Sequence, residues 1–377
     1  MLTVDRIKEK IDMRSLPKPA MVIDSEIILD KYRQLSALID GVELFYSVKT
    51  NPHGEILELL KKAGSGFEVA SPQELKQVID MGVPPEKIIS GNTFKMPEMI
   101  AEAYSYGVNY FAFDSIMEIE KIARYAPGSD VCLRVVVPND GSDWPLSSKF
   151  GVPVPEALEL LIYAAEKGLN PNGLTFHVGS QCLNPFSWSN ALVAISEVYY
   201  MAKSSNIKID VINLGGGFPS RLTKDIPEIG QIRNYINKTI REKFSGEKLK
   251  YYIEPGRGLV GEAALFIASV IAATPRGSEN WVVLDIGVYN GLLEAVADIE
   301  YHIVSDKQLN GFAGESDLIP YTVGGPTCDS WDTIVKGCKL PKKLSYGDII
   351  YILNTGAYTN SEATCFNGFE APAIHMA

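Results

Sequence analysis

The sequence predicts an α/β protein with a (β/α)8 barrel and a second, mainly β domain. Short β-rich segments alternate with helical patterns between residues 43 and 255, and eight such segments can be counted. After residue 262 the β-rich segments follow one another without helical patterns between them, which is typical of a separate β domain. A doubly wound sheet would produce the same alternation, and the count of eight favours the barrel.

The predicted barrel strands follow from local composition and from the signals that begin and end each helix. The first helical pattern has apolar residues on one face, at positions 56, 59, 60 and 63, and stops at Gly64. Capping boxes at Ser71–Glu74 and Ser115–Glu118 start two further helices. The eight predicted strands are 43–48, 66–70, 87–90, 109–113, 131–137, 174–178, 210–214 and 250–254.

The second domain is predicted from the β-rich segments 281–286, 300–304, 318–323 and 348–353. The segment before residue 25 is too short to fold alone, so we expect it to join this domain. The expected division is therefore a barrel over residues 25–262 and a β-rich domain formed by residues 1–24 and 263–377.

Composition argues against several classes of protein. The 377 residues are 46% hydrophobic, the N-terminus lacks an apolar signal core, and the most apolar stretch, residues 263–273, is too short to span a bilayer. The net charge of −11 argues against a nucleic-acid partner. Five scattered cysteines without a CxxC pair and four histidines without ligand spacing suggest neither disulfides nor a metal site. We expect a cytoplasmic protein.

The candidate catalytic residues lie at the carboxyl ends of the predicted strands, where barrel enzymes place their active sites. Lys49 ends the first strand, and a lysine in a barrel mouth is costly unless it is paired or used. His177 ends the sixth strand and Glu254 the eighth. A buried carboxylate at Glu254 needs a cationic partner, and a protonated pyridine nitrogen would be one. Alone, Lys49 would be an ordinary loop lysine, and these neighbours make it a site candidate.

Glycine-rich turns follow the last two strands of the predicted barrel. Gly215, Gly216 and Gly217 follow the seventh strand, and Gly256 and Arg257 follow the eighth. Backbone N–H groups in such turns can approach phosphate oxygens closely, and the arginine adds a positive charge. Three glycines alone are more often a flexible turn, so the prediction of a phosphate site depends on the combination.

The second domain contains three further distinctive segments. Residues 324–329 place the Cys328 thiol beside the Asp329 carboxylate in a turn-forming sequence, and glycine-containing segments follow at 356–359 and 366–369. Taken singly, each segment would more often be a turn than a site.

With these residues assembled, the chain resembles the fold type III, alanine-racemase-like decarboxylases that use pyridoxal 5′-phosphate (PLP), within the ornithine/lysine decarboxylase group. The resemblance covers almost the whole chain, and residues 144–151 further resemble bacterial ornithine decarboxylases. The motifs that carry it are Phe45-Tyr-Ser-Val-Lys49-Thr-Asn51, His177-Val-Gly-Ser180, Gly215-Gly-Gly-Phe-Pro219, Glu254-Pro-Gly-Arg257, Gly325-Pro-Thr-Cys-Asp329, Gly356-Ala-Tyr-Thr359 and Phe366-Asn-Gly-Phe369.

The resemblance implies roles for individual residues. Lys49 would form an imine with PLP, His177 would stack on the pyridine ring, and Glu254 would keep the ring nitrogen protonated. Cys328 would return a proton to the substrate α-carbon after CO2 leaves, and Asp329 would bind the distal amine. The other implied cofactor residues are Glu68 near the ring, Arg134 as structural support, Ser180, Gly217, Gly256, Arg257 and Tyr358 around the phosphate, and Gly215 and Gly216 in the same turn as Gly217.

The resemblance also implies an obligate homodimer in which the partner subunit supplies Cys328 and Asp329. A second acidic residue, Asp298 by alignment with Glu294 as the alternative, and Phe366 would complete the substrate site. The residues around Cys328 favour L-ornithine, which would give putrescine. Lysine, 2,4-diaminobutyrate, a D-amino acid or a specialised-pathway amino acid remain open, and the sequence before Cys328 disfavours diaminopimelate.

Two rival functions are disfavoured by residues of this sequence. An amino-acid racemase would need a catalytic tyrosine in the second domain and a less acidic partner for the ring nitrogen than Glu254. A non-catalytic regulatory homologue would have lost Lys49, the phosphate ligands or Cys328, and all of them are present.

Overall fold

The computed structural model describes residues 3–146 and 148–377. The chain divides into two compact units. The barrel unit comprises Leu29–Pro219 and Ile226–Leu259, and the β-rich unit comprises the residues up to Ile28, Ser220–Asp225 and Val260–Ala377. Residues 220–225, which the sequence prediction assigned to the barrel, thus group with the β-rich unit.

The elements are numbered in chain order. The strands are β1 (Ala20–Ile23), β2 (Glu43–Ser47), β3 (Gly66–Glu68), β4 (Ile88–Ile89), β5 (Tyr110–Phe113), β6 (Asp130–Arg134), β7 (Ser142–Trp144), β8 (Asn170–Thr175), β9 (Ser180–Cys182), β10 (Val211–Asn213), β11 (Lys250–Ile253), β12 (Ala264–Arg276), β13 (Glu279–Leu284), β14 (His302–Ser305), β15 (Leu318–Gly324), β16 (Thr333–Pro341), β17 (Ile349–Leu353) and β18 (Ala373–Met376). The α-helices are α1 (Thr3–Lys10), α2 (Ser25–Ser36), α3 (Gly54–Ala63), α4 (Pro72–Asp80), α5 (Pro97–Tyr106), α6 (Ile116–Tyr125), α7 (Val154–Glu166), α8 (Ser187–Ser204), α9 (Ile229–Lys243), α10 (Arg257–Val260) and α11 (Asp306–Leu309).

Eight parallel strands form the sheet of the barrel unit, in the order β4-β3-β2-β11-β10-β8-β6-β5. A bridge between Ser90, directly after β4, and Phe111 of β5 brings the two edges together, so the sheet is a nearly closed barrel. The predicted eight-stranded barrel is confirmed. The sixth predicted strand ends at Thr175, so His177 lies in the loop after β8 and not on the strand itself.

Aromatic side chains fill the space between the barrel strands. The rings of Phe45 and Tyr110 lie 4.9 and 5.9 Å from that of Tyr252. Glycines make room for them: a Cβ on Gly66 would lie 2.5 Å from Cδ1 of Phe45, and one on Gly173 would lie 2.5 Å from the Tyr110 hydroxyl. The barrel interior is therefore a packed core, on which the residues at the carboxyl ends of the strands are built.

The helix signals in the sequence were correct in position, and the serine of each predicted capping box caps its helix, although neither glutamate bonds the amide of its N-cap serine. Ser71 Oγ accepts from the Glu74 amide, and Glu74 reaches back to the amide of Ala70. Ser115 Oγ likewise accepts from the amide of Glu118. The Glu118 carboxylate, however, lies 2.8 Å from Lys95 Nζ and 2.5 Å from Lys121 Nζ, and its predicted role in a capping box is wrong. Because the Lys95 ammonium is buried, it requires this countercharge more than the helix end requires a second cap.

The β-rich unit is built on a second eight-stranded sheet. Its order is β14-β17-β12-β13-β15-β16, and β1 of the N-terminal segment pairs with both β12 and β18. The apolar stretch 263–273 forms most of the long strand β12. Across residues 3–146 and 148–377, no helix is long and apolar enough to cross a membrane.

Candidate active site

Lys49 lies directly after β2, in the short 3-10 turn Val48–Thr50. Val48 and Thr50 are buried, which fixes the turn, while the Lys49 side chain is 47% exposed. Its Nζ lies 2.6 Å from Oε2 of Glu68, which ends the neighbouring strand β3 and is 1% exposed. The amine and the buried carboxylate form an ion pair at the carboxyl end of the barrel.

Two carboxylates approach each other at this end of the barrel. The point that a Cβ on Gly91 would occupy lies 3.0 Å from Oε1 of Glu68 and 3.1 Å from Oε1 of Glu254, so only glycine leaves room there. Burial, followed by repulsion from Glu68, raises the pKa of Glu254 to about 7, while Lys49 and Arg134 act in the opposite direction. Glu254 is therefore a carboxyl group that can hold a proton or a countercharge near neutral pH.

Asn213 is a residue of this cluster that the sequence prediction missed. It ends β10, is 1% exposed, and its Nδ2 donates to Glu254 Oε1 over 2.5 Å. Its Oδ1 accepts from the amide of Gly215 over 2.9 Å. The available signal was a polar residue at the end of an apolar strand, two residues before the first glycine of the turn.

His177 is held as a neutral imidazole in the loop after β8. Its Nδ1 accepts a hydrogen bond from the amide of Gly179 over 3.0 Å, so the ring proton belongs on Nε2. Burial, followed by repulsion from Arg134 and Lys49, holds the pKa of His177 well below its usual range. A neutral ring in this position can pack against a flat aromatic group without placing a further positive charge beside it.

Arg134 ends β6 and supports the charges of the cluster from one side. Its guanidinium lies 4.8 Å from the ring centre of Phe150, and it acts electrostatically on both His177 and Glu254. Burial lowers the pKa of Arg134, and the negative charges of Glu254, Asp114 and Glu68 oppose this effect.

The glycine turn after β10 is packed against its neighbours by backbone alone. Gly215 and Gly217 have φ angles of 63° and 89°, which side chains rarely adopt. A Cβ on Gly216 would lie 2.6 Å from the carbonyl oxygen of Glu254, and one on Gly217 would lie 2.5 Å from that of Gly179. The surface of this turn is therefore backbone, as expected where main-chain groups approach a phosphate.

Ser180 and Arg257 lie together beside the glycine turn. The Arg257 Nε lies 3.4 Å from Ser180 Oγ, and Arg257 is 4% exposed although it begins α10 at the carboxyl end of the barrel. The amide of Cys182 on β9 donates to the carbonyl of Gly217, which ties this pair to the turn. A hydroxyl, a guanidinium and a glycine backbone are thus brought together, as an anion site requires.

In the β-rich unit, Cys328 and Asp329 lie in a turn between β15 and β16. Cys328 is exposed, and its amide donates to Oδ1 of Asn367 over 3.0 Å. Asp329 accepts a 2.6 Å hydrogen bond from the hydroxyl of Tyr289, which lowers the pKa of the Asp329 carboxyl. The ring of Tyr289 also packs at 4.6 Å from that of Phe366. These contacts unite the three distant segments around residues 289, 329 and 366, and neither Tyr289 nor Asn367 was predicted as a site residue.

The turn that carries Cys328 and Asp329 is anchored by the buried carboxylate of Asp332. Its two oxygens accept from the amides of Val288 over 2.7 Å and Thr327 over 2.9 Å, so one side chain fixes the segment before Tyr289 and the segment before Cys328. The exposed thiol therefore lies on a fixed turn.

The remaining predicted residues of the β-rich unit lie apart in sequence from that turn. Asp298 is exposed in a left-handed conformation at the end of the 3-10 turn Leu293–Ala297, whereas Glu294 is buried near its start. Tyr358, with a φ of 56°, follows β17, and the preceding Gly356 packs against the carbonyl of Val260. Among the described residues, no group of three His, Cys, Asp or Glu side chains could hold a metal ion.

Comparison with known proteins defines the class to which this fold and site belong. Residues 25–261 match the family model described as "Pyridoxal-dependent decarboxylase, pyridoxal binding domain", so the chain is a PLP-dependent decarboxylase. It belongs to the ornithine/lysine decarboxylase family of fold type III, which confirms the predicted resemblance.

The relatives place the chain among decarboxylases of basic amino acids. It is 34% identical over 363 residues to a "Lysine/ornithine decarboxylase" of Selenomonas ruminantium, covering 96% of this chain and 90% of the relative. It is 32% identical over 353 residues to the "Ornithine decarboxylase" of Schizosaccharomyces pombe, covering 91% and 80%.

The similarity extends to solved structures. A lysine/ornithine decarboxylase from Vibrio vulnificus, complexed with cadaverine, has a TM-score of 0.89 at 30% identity and covers 99% of this chain and 98% of its own. The arginine decarboxylase of Paramecium bursaria Chlorella virus, bound to agmatine, has a TM-score of 0.89 at 28% identity and covers 99% of both chains. Because these relatives differ in named substrate, similarity alone does not fix the substrate of this chain.

The residues of the barrel unit fit PLP. Lys49 offers an amine, Glu254 a buried carboxylate with a raised pKa for the ring nitrogen, and His177 a neutral ring for the pyridine face. Beside them, Ser180 offers a hydroxyl, Arg257 a positive charge and the glycine turn a bare backbone, which are the groups that bind a phosphate.

Proposed function

We propose that the protein decarboxylates L-ornithine to putrescine. The observation that carries the reaction type is the arrangement at the carboxyl end of the barrel, where the Lys49 amine, 2.6 Å from Glu68, accompanies the buried Glu254 carboxylate. The preference for ornithine is supported by the residues around Cys328 and by relatives named ornithine decarboxylase.

The residues of the barrel would bind and orient the cofactor. Lys49 would carry it through Nζ, and Glu68 Oε2 would accept the proton that the ammonium must lose before this nitrogen reacts. Glu254 would hold the proton of the ring nitrogen, and His177 would cover one face of the ring. When bound, PLP accepts into its ring the electrons of the breaking bond between the substrate α-carbon and its carboxylate.

The residues of the β-rich unit would handle the substrate and the returning proton. The Asp329 carboxylate, kept ionised by its hydrogen bond from Tyr289, would pair with the distal ammonium. Cys328 Sγ would deliver a proton to the α-carbon after CO2 leaves. Asp298 is our choice for the second carboxylate because it is exposed, whereas Glu294 is buried.

We further propose a homodimer in which Cys328 and Asp329 serve the partner's barrel. The support is the resemblance to a family with shared sites and the exposure of two aromatic side chains: Trp331 in the turn is 69% exposed, and Phe366 in the 3-10 turn Phe366–Gly368 is 42% exposed. Mixing the Lys49→Ala and Cys328→Ala proteins should then give activity well above that of either variant alone. Failure to restore activity in mixtures shown to exchange subunits would contradict sharing.

The substrate is tested by CO2 release from the L- and D-forms of ornithine and lysine, with L-arginine and 2,4-diaminobutyrate. We expect the highest kcat/KM with L-ornithine. A higher value with any other member of the panel would replace the proposed substrate. A racemase would instead interconvert the L- and D-forms without CO2 release.

A further inference from the structure

Asn213 joins the two halves of the cofactor site within the barrel unit. It is the last residue of β10, with β8 on one side and β11 on the other, and it is 1% exposed. Its side-chain amide contacts the carboxylate of Glu254 and the backbone amide of Gly215.

The orientation of the Asn213 amide is fixed by chemistry. The N–H of Gly215 can only donate, so the atom 2.9 Å from it must be the oxygen Oδ1. The nitrogen Nδ2 therefore faces Oε1 of Glu254 at 2.5 Å, and it can only donate. A hydrogen bond donated to a carboxyl oxygen stabilises the ionised form of that group.

The other groups around Glu254 act on its charge in different directions. Burial and Glu68, from β3, favour the protonated form, whereas Lys49 after β2 and Arg134 on β6 favour the ionised form through space. Cys132 and Tyr110 also face this region, and burial raises the pKa of both, so both are neutral. Asn213 adds a direct hydrogen bond to this balance, donated by a group that does not titrate.

We propose that Asn213 is a positioning residue that favours the ionised form of Glu254 and aligns it for the ring nitrogen, and that aspartate at this position would make the two carboxyls share a proton. The inference rests on the proposed role of Glu254. Since the same amide holds Gly215, it also fixes the spacing between the partner of the ring nitrogen and the turn that faces the phosphate.

The test is Asn213→Asp in the PLP-loaded enzyme. Aspartate has the same shape as asparagine, but an oxygen replaces the nitrogen that faces Glu254. The two carboxyls therefore retain one shared proton up to a higher pH than Glu254 does in the unsubstituted enzyme. We expect the acidic limb of the kcat profile to move to higher pH by at least about one pH unit. A merely structural role would lower the yield of folded protein, or lower kcat equally at every pH.

The matched control is Asn170→Asp, at the start of β8. The Nδ2 of Asn170 donates to Oδ1 of Asp130 over 2.6 Å, so the same substitution also faces a carboxylate, but at an exposed position. Solvent screens that pair, and its pH profile should coincide with that of the unsubstituted enzyme. An unmoved acidic limb in Asn213→Asp, equal to that of Asn170→Asp, would overturn the proposal.

A second measurement requires no turnover. At about pH 8.5, above the pKa of about 7 of Glu254 in the unsubstituted protein, the infrared spectrum of Asn213→Asp should contain the C=O stretch of a buried protonated carboxylic acid that the unsubstituted protein lacks, and this band should disappear in the Asn213→Asp/Glu254→Gln double variant. Absence of the band from the single variant would also overturn the proposal. If Asn213→Asp fails to fold, Asn213→Ala is the alternative variant. The acidic limb of its kcat profile should also move to higher pH, but by less, and an unmoved limb would overturn the proposal.

These outcomes are separable from failure of the proposed function. If borohydride reduction fails to attach PLP to Lys49, the role of Lys49 in the proposed function is wrong, while the infrared band still tests the Asn213–Glu254 pair. If Glu254→Gln retains full activity, the role of Glu254 fails and our inference about catalysis fails with it.

Discussion

The two units prepare their functional groups in opposite ways. In the barrel unit, Glu68 is 1%, Asn213 1% and Arg257 4% exposed, and each already has a partner within the unit. In the β-rich unit, the Cys328 thiol is exposed and Phe366 is 42% exposed. The difference teaches that the polar cluster of the barrel unit is organised by internal contacts, whereas the turn that carries Cys328 is fixed in its backbone but open at its surface.

The largest expected effect is that of Lys49→Ala in the barrel. Without the amine, we expect borohydride to attach no cofactor at this position and kcat/KM to fall roughly a thousandfold or more. The readouts are peptide mass spectrometry after reduction and CO2 release. Lys76→Ala is the control, since this lysine is exposed on α4 and pairs with Asp80. Labelling that persists in Lys49→Ala would place the cofactor elsewhere.

The next effect is expected in the open unit. Cys328→Ala removes the proposed proton donor, so kcat should fall by about a hundredfold to ten-thousandfold with little change in KM. Misplaced protonation should also raise the fraction of aldehyde byproduct, which is measured by chromatography. The control is Cys338→Ala, on β16. An equal loss in the two variants would remove the special role of Cys328.

A smaller effect distinguishes direct from indirect contact with the substrate. Asp329→Asn removes a charge that pairs with the distal ammonium, and kcat/KM should fall about tenfold to a hundredfold. Tyr289→Phe only removes the hydrogen bond that orients Asp329, so a fall of about threefold to tenfold is expected. Steady-state kinetics with ornithine measures both values, and the reverse order would show that Tyr289 is itself the substrate contact.

The smallest effect concerns stability and again involves the closed unit. The folded protein without PLP holds the Glu254 proton up to about pH 7, whereas the ordinary value is 4.5. The folded state thus binds more protons between these values, so the contribution of this carboxyl to the free energy of unfolding is lost as the pH rises through that window. The unfolding free energy of the native protein relative to Glu254→Gln should decline from pH 4.5 to about 7 in denaturant titrations. A flat difference would mean that Glu254 is not buried as a proton-holding group.

The same contrast explains what could be predicted from the sequence. The barrel was predictable because each strand carries a local pattern, and Lys49 and Glu254 are visible as polar residues at the ends of such patterns. The Asn213–Glu254 contact depends on which strands are neighbours, and no local pattern contains that information. The contact between Tyr289 and Asp329 likewise joins positions 40 apart in the chain. Glu118 misled the prediction because a buried lysine on another segment competes for its carboxylate.

The bare backbone of the glycine turn has a consequence for how this enzyme can change over time. Since neighbouring carbonyl oxygens already fill the space that side chains at Gly216 and Gly217 would need, almost every substitution there meets a steric barrier. The exposed residues near Cys328 face no comparable barrier from within their own unit. Natural variation and laboratory evolution should therefore accumulate more readily at these exposed positions of the β-rich unit than in the glycine turn.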